Sequence, residues 1–374
     1  MAKKYTQYTD LIDQYNEEHG VDVFKEYKTA TPERQQEIED WFFNLVRSVN
    51  EIPQLQLSAE DIDKEIIRLS ETSISDVFNP ETREFGFNTN GVSICKYFFK
   101  EMYDVKKDGH PSVNDRFHSD YQLKRTIKKM FTYSDNDMSF LSWLILNGSG
   151  FGVTFRPAAY KSLVELFCKG KENCKIFDSS SGYGARLMGT HLSDVRPKEY
   201  LGIDPNTWST CNTLANLLET RYPTGCHSQV LNMGSEDFTP ESFPQYQNYF
   251  DFAATSPPYF RCEIYDISST QSCIKFPEYD AWIEGFYKQT IYNTCNAVKD
   301  DGVIAINIFE KIDNIKNYTI QFFNDKGWLL VDEYKYMLRT MPGNTHKKDE
   351  NGNDILMNVK RESYEPIWVF RKGN

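Results

Sequence analysis

From about residue 150 onward the chain alternates short apolar runs with amphipathic segments, a pattern that few folds satisfy. Residues 174–178, 200–204, 228–233, 249–255 and 302–309 read as strands. Segments 207–221, 278–298 and 312–324 carry apolar residues at helical spacing. Strands that alternate with helices need crossover connections, which makes the sheet mainly parallel and covers both of its faces with helices. Two later strands, 328–338 and 365–371, suit an antiparallel pair at the sheet edge. The expected fold class is therefore α/β, and such sheets bind ligands at the carboxyl ends of their strands.

The first 140 residues read differently. Thr31-Pro32-Glu33 is a helix cap followed by proline in the first turn, and Ile38, Trp41, Phe42, Leu45 and Val46 then recur at helical spacing. A second helix is expected after Ser58, where Asp61 completes a weak capping box. Two regions follow: residues 1–140, mainly helical with a possible role in nucleic-acid recognition, and residues 141–374, which carry the sheet.

Net charge sets limits on partners. The 374 residues hold 42 Lys and Arg against 54 Asp and Glu, a balance of −12, which argues against a protein that coats nucleic acid by bulk attraction. Residues 96–129 nevertheless hold nine basic against five acidic side chains, and 335–372 hold eight against five. Within 121–133, Lys124, Arg125, Lys128 and Lys129 share one side of a helix. That face is either solvated surface or a phosphate contact. The polar stretch 339–363 is either a mobile loop or a second nucleic-acid contact.

No run reaches the roughly 18 apolar residues of a membrane span, mean hydropathy is −0.60, and the start lacks an apolar signal core. A cytoplasmic protein is expected. The eight cysteines are scattered without a CxxC pair and read as reduced thiols, and the six histidines form no cluster, so no metal is expected.

Three features of the second region point to an adenosine-bearing ligand. In the run from Phe177 to Arg186, a strand delivers Asp178, and Gly182 and Gly184 let the backbone approach a ligand at the start of a helix. The turn is neither a phosphate loop nor a full dinucleotide fingerprint. Asp204 ends the next strand, where a carboxylate accepts both hydroxyls of a ribose. Its other reading is a helix cap. Asp237 follows the third strand and is placed to accept from an adenine amino group, with Phe238 against the ring.

The fourth feature is decisive. The apolar strand Phe250-Asp-Phe-Ala-Ala-Thr255 runs into Ser256-Pro257-Pro258-Tyr259, and two prolines end both helix and ladder there. At this point the chain resembles the class I S-adenosylmethionine-dependent methyltransferases. Within them it looks like the amino-methyltransferases, which carry Asp, Asn or Ser, then Pro-Pro, then an aromatic residue, after the fourth strand. The resemblance covers roughly residues 150–374 and extends to Phe155-Arg156-Pro157, which matches an additional cofactor element. It implies a Rossmann-like fold with a seven-stranded, mostly parallel sheet and S-adenosylmethionine as cofactor. It places Phe155, Arg156, Asp178, Ser180, Gly182, Gly184, Asp204, Asp237 and Phe238 around that cofactor. Ser180 departs from the pattern, which usually has an aromatic residue there.

The chemistry explains the tetrapeptide. An exocyclic amine on adenine or cytosine is a poor nucleophile because its lone pair is delocalised into the ring. Ser256 Oγ and the Pro257 carbonyl suit the two amine hydrogens, with the prolines holding both acceptors in place. Tyr259 is expected to stack on the target ring and Phe260 to assist. No dedicated base is needed if the proton leaves after transfer. The segment 260–277 resembles one in phage-encoded relatives, with Glu263, Tyr265, Gln271 and Ser272 at matching spacings, and is expected either to cover the target base or to be a plain extended connection. The resemblance thus implies a DNA methyltransferase acting on a base out of the stack. The alternatives are methylation of RNA or of protein glutamine, or a cofactor-binding protein without turnover.

Overall fold

The computed structural model describes residues 6–134, 140–148, 150–265, 268–308, 314–338, 341–348, 354–361 and 363–373. The chain forms two units. One comprises residues 1–64, 93–153 and 261–271, the other 65–92, 154–260 and 272–374. The division is thus not the single cut near residue 140 that the sequence suggests. The strands in chain order are β1 Phe78–Asn79, β2 Glu84–Phe85, β3 Lys106–Lys107, β4 Lys175–Asp178, β5 Glu199–Ile203, β6 His227–Leu231 and β7 Phe250–Thr255. They continue with β8 Glu263–Ile264, β9 Val298–Asn307, β10 Trp328–Met337, β11 Met341–Lys348, β12 Asp354–Arg361 and β13 Tyr364–Lys372.

The first unit is helical around an aromatic core. Thr31 accepts from the Arg34 N–H and starts helix Pro32–Val49, as the cap signal predicts. Its inward face brings Phe42 against Tyr8, Phe131 and Phe140. Helix Asp120–Tyr133 packs into the same cluster through Leu123, Ile127, Met130 and Phe131. That leaves Lys124, Arg125 and Lys128 exposed and Lys129 half-buried. Lys124 also lies 4.6 Å above the Phe43 ring.

In the second unit nine strands form one sheet in the order β1-β2-β10-β13-β9-β7-β4-β5-β6. This corrects the expected count of seven. The added pair, β1 and β2, is two residues long in each strand and too short to leave a period in the sequence. Strands β6, β5, β4, β7 and β9 run parallel, and β13 runs antiparallel to both β9 and β10. The expected antiparallel pair of β10 and β13 forms, with β13 on its inner side against β9 and only the two-residue β2 and β1 beyond β10. The β13 run from Pro366 to Phe370 is buried without alternation, which is what burial on both faces requires.

Helices Pro157–Cys168, Ala185–His191, Trp208–Arg221, Lys288–Ala297 and Ile315–Asp325 connect or precede these strands. Tyr160 ties the first of them to β7 by donating to the Ala254 carbonyl at 3.0 Å. The turn after it folds back and brings Cys168 and Cys174 within 6.3 Å between Cα atoms, joined as a disulfide. Eight reduced thiols were expected; Cys95, Cys211, Cys226, Cys262, Cys273 and Cys295 are free. Within the polar stretch 339–363, read as either a mobile loop or a nucleic-acid contact, β11 and β12 pair as an antiparallel hairpin whose strands its polar composition masks. Residues 339–340, 349–353 and 362 of that stretch lie outside the described residues. Among the described residues, no helix is long and apolar enough to cross a membrane, and no three His, Cys, Asp or Glu side chains gather as a metal site.

His191 makes the sheet unit sensitive to mild acid. It is fully buried at the end of helix Ala185–His191, with Nε2 2.9 Å from the Tyr222 carbonyl. Burial holds its imidazole below the ordinary 6.5, although the carbonyl opposes the shift. Below about pH 6.5 the unfolded chain binds a proton that the folded chain refuses, so stability is lost as the pH falls. Urea midpoints are expected to drop between about pH 7.5 and pH 5.5, and to drop less in His191→Gln. Equal drops in the two proteins would refute the assignment.

Candidate active site

The site is built where the sheet reverses its strand order. From β4 the chain adds β5 and then β6 on one side, and it later crosses to β7 on the other. A crevice opens outside the carboxyl ends of the strands at such a switch point. The loops that follow β4, β5, β6 and β7 all leave from this edge.

The turn after β4 is held from below. Asp178 is fully buried; its carboxylate accepts from Arg186 Nε at 2.8 Å, the Tyr200 hydroxyl at 2.8 Å and the Ser180 N–H at 3.1 Å. The sequence places Asp178 among the cofactor contacts, whereas the structure spends both its oxygens on positioning the turn. Gly182 and Gly184 take φ of +55° and +69°, left-handed conformations that glycine adopts freely. Ser180 is half-buried on the same turn.

Asp204 closes the turn from the side. One of its oxygens accepts from the Gly182 N–H at 2.9 Å, and the other from the N–H groups of Asn206 and Thr207 at 2.9 and 2.8 Å. The carboxylate thus orders the turn that leads to Thr207, the N-cap of helix Trp208–Arg221, and it stands half-exposed beside the glycine turn. Burial raises its carboxyl above the ordinary value, against the pull of those backbone donors.

Asp237 is largely exposed and paired with Lys275 at 2.9 Å. Phe238 is 3% exposed and stacked between Phe177 and Phe243, at 5.0 and 4.7 Å. Its ring is thus part of the core and is not presented to a ligand, which corrects the expectation. Phe155 and Arg156 are likewise buried. Phe155 stacks on Tyr336 at 4.4 Å, and Arg156 lies 4.1 Å over the same ring while its N–H donates to the Tyr336 hydroxyl at 2.9 Å.

Ser256-Pro-Pro-Tyr259 leaves the end of β7. Ser256 is half-buried, with Oγ 3.1 Å from the Tyr259 hydroxyl. Pro257 is buried and Pro258 half-buried. Phe260 ends the motif at φ +49°, a conformation bulky residues rarely adopt, with its ring against Tyr279 and Trp282 at 5.4 and 5.5 Å. In the following segment, Glu263 and Gln271 are buried at 6% and 7%. Lys107 Nζ lies 2.6 Å from Glu263, and Gln271 accepts from the Tyr265 N–H at 3.1 Å. Expected as substrate contacts, both instead order their own segment, which pairs through β8 with β3.

Ser179 and Thr255 escape the sequence, whereas Arg156 is among the residues it singles out. The hydroxyls of Ser179 and Thr255 and Nε of Arg156 are buried without a hydrogen-bond partner among the described residues. Phe177 pairs with Ala253, so Ser179 and Thr255 continue the same register just beyond β4 and at the end of β7. Buried polar atoms rarely go unmatched, and two side by side at the strand ends suit the polar groups of a ligand. Asn307 at the end of β9 and Glu365 at the start of β13 also reach Tyr259.

No protein-family profile matches the chain, and no curated protein matches it. Solved structures similar to it include an S-adenosylmethionine-dependent O-methyltransferase from Thermotoga maritima, at 11% identity over 60% of this chain and 68% of that one, with a TM-score of 0.36. Another is TrmN from Thermus thermophilus, at 10% identity over 58% of this chain and 49% of that one, TM-score 0.35. A third is a TehB-like S-adenosylmethionine-dependent methyltransferase from Corynebacterium glutamicum, at 14% identity over 57% and 87%, TM-score 0.33.

Proposed function

We propose that this chain transfers a methyl group from S-adenosylmethionine to the exocyclic amine of adenine or cytosine in DNA. The observation that carries the reading is the half-buried Ser256 and the proline-locked carbonyl of Pro257 at the end of β7, next to the glycine turn of β4. The donor set fits the cofactor. Asp204 suits a ribose, Gly182 and Gly184 admit the backbone side of the ligand, Asp237 suits an adenine amine, and the unmatched hydroxyls of Ser179 and Thr255 await polar partners. Bound there, the cofactor supplies a methyl group on a positively charged sulfur. The protein's own part is to hold the amine. Ser256 Oγ and the Pro257 carbonyl accept its two hydrogens and turn the nitrogen lone pair out of conjugation, and the Tyr259 ring supports the base. Prolines fix both acceptors beforehand, so little reorganisation is needed at reaction.

The test is transfer of a tritiated methyl group to DNA, RNA and protein, followed by mass spectrometry of the digested product. Methyladenine or methylcytosine from DNA is expected. Label confined to RNA or to glutamine would move the substrate class, and no label anywhere would sink the reading.

The exposed Lys124, Arg125 and Lys128, with Lys129 beside them, are proposed as the phosphate contact. Each phosphate contact adds about 0.9 to the slope of log affinity against log salt. Replacing all four by alanine is expected to weaken DNA binding and flatten that slope by roughly 2 to 4. An unchanged slope in a salt titration by fluorescence anisotropy removes the assignment.

A further inference from the structure

The Tyr259 hydroxyl is a junction. It lies 3.1 Å from Ser256 Oγ, 3.0 Å from Glu365 Oε2 and 3.5 Å from Asn307 Oδ1. It has one hydrogen to give. Asn307 Nδ2 donates to the Pro366 carbonyl at 3.0 Å, which turns the amide oxygen toward Tyr259. Two acceptor oxygens therefore compete for one proton, and the carboxylate, charged and nearer, is the stronger. With the phenol hydrogen committed to Glu365, the contact between Ser256 and Tyr259 has to use the serine hydrogen. The direction of the chain is then fixed from Ser256 to Tyr259 to Glu365.

We propose that Glu365 is a positioning residue that acts through Tyr259, orienting the Ser256 hydroxyl and receiving the proton released by the target amine. The inference rests on the reading of Ser256 as the amine acceptor. A serine at this place poses a problem that an aspartate does not, because its own hydrogen can point at the amine and repel it. Drawing that hydrogen toward Tyr259 leaves both lone pairs of Ser256 Oγ for the substrate.

The same chain gives the proton an exit. When the nitrogen lone pair forms its bond to the methyl carbon, the carbon–sulfur bond breaks and its electron pair stays on sulfur, leaving a neutral thioether. The nitrogen now carries the positive charge. One N–H bond returns its electrons to nitrogen as the proton passes to Ser256 Oγ. Ser256 gives its former hydrogen to the Tyr259 oxygen, and Tyr259 gives its own to Glu365, which becomes neutral. Glu365 then releases the proton to water. Methylated amine, thioether and one proton are the balanced products.

The test compares full-length Glu365→Ala, Glu365→Gln and Tyr259→Phe with wild type, using tritiated S-adenosylmethionine and whichever of unmodified genomic DNA or total RNA the wild type methylates. Binding of S-adenosylhomocysteine by calorimetry shows that each variant is folded. Glu365→Ala is expected to lower kcat about 100-fold with KM for nucleic acid unchanged. Glu365→Gln keeps an acceptor for Tyr259 but takes no proton, and should lose about 10-fold. Added formate should restore Glu365→Ala and not Tyr259→Phe, and the double variant should be no slower than Tyr259→Phe alone. Wild-type rates in either Glu365 variant, additive losses, or no rescue by formate would overturn the chain while the methyltransferase reading stands. A wild type that methylates no nucleic acid would remove both.

Discussion

Ser256→Ala is expected to slow methyl transfer by about 10²–10³-fold while S-adenosylhomocysteine binds as tightly as to wild type. The magnitude follows from removing one preorganised hydrogen-bonding group aimed at the reacting atoms, the effect seen when a single such group is lost elsewhere. The cofactor side should be spared because Asp204, Gly182 and Gly184 take their hydrogen bonds and conformation from other partners. The fold should be spared as well, since Ser256 is half-buried and its hydroxyl meets only the Tyr259 phenol among the hydrogen bonds of the motif. Single-turnover transfer separates the chemical step from product release, and nucleoside mass spectrometry of DNA from expressing cells gives the same comparison in vivo. Equal rates in the two proteins would mean that the amine is held elsewhere.

Asp178→Ala should cost about 3–5 kcal/mol of stability. Arg186 and Asp178 are almost wholly buried, at 7% and 0% side-chain exposure, with 2.8 Å between Nε and Oδ2. Burial alone would weaken the guanidinium's hold on its proton. The adjacent carboxylate more than offsets this, so the charge survives inside the sheet unit. Removing the carboxylate strands that charge and also leaves the Tyr200 hydroxyl and the Ser180 N–H without their acceptor. Asp178→Asn keeps an acceptor without the charge and should fall between the two. Urea unfolding followed by near-ultraviolet circular dichroism measures both. A loss below about 1 kcal/mol in the alanine variant would show that the pair is replaceable.

Much of the sheet was legible because its strands obey two simple rules. Those before Asp178, Asp204 and Ser256 are short apolar runs that end in a turn-forming or capping residue, and the structure places each within a residue or two of its expected bounds. Strand β13 was legible as one half of an antiparallel pair with β10, and its unbroken apolar run signals the burial on both faces that its inner position gives it. Phe238 and Glu263 were misread for one shared reason. A residue type suited to a ligand is equally suited to a core stack or a buried ion pair, and only the packing decides between these. Glu365 was invisible for another: it reaches Tyr259 across 106 residues of chain, and no spacing rule links the two. The unmatched hydroxyls of Ser179 and Thr255 belong to the same class, since serine and threonine at strand ends are too common to stand out.

The reversed strand β13 has a consequence for how the molecule is made. It fills the slot between β9 and β10, yet it is the last strand of the sheet to be translated. Until residues 364–372 emerge from the ribosome, a nascent chain carries two open ladders facing a gap and lacks Glu365 altogether. Newly synthesised chains should therefore depend on chaperones until that late insertion closes the sheet, and the contact between Tyr259 and Glu365 forms only when it does.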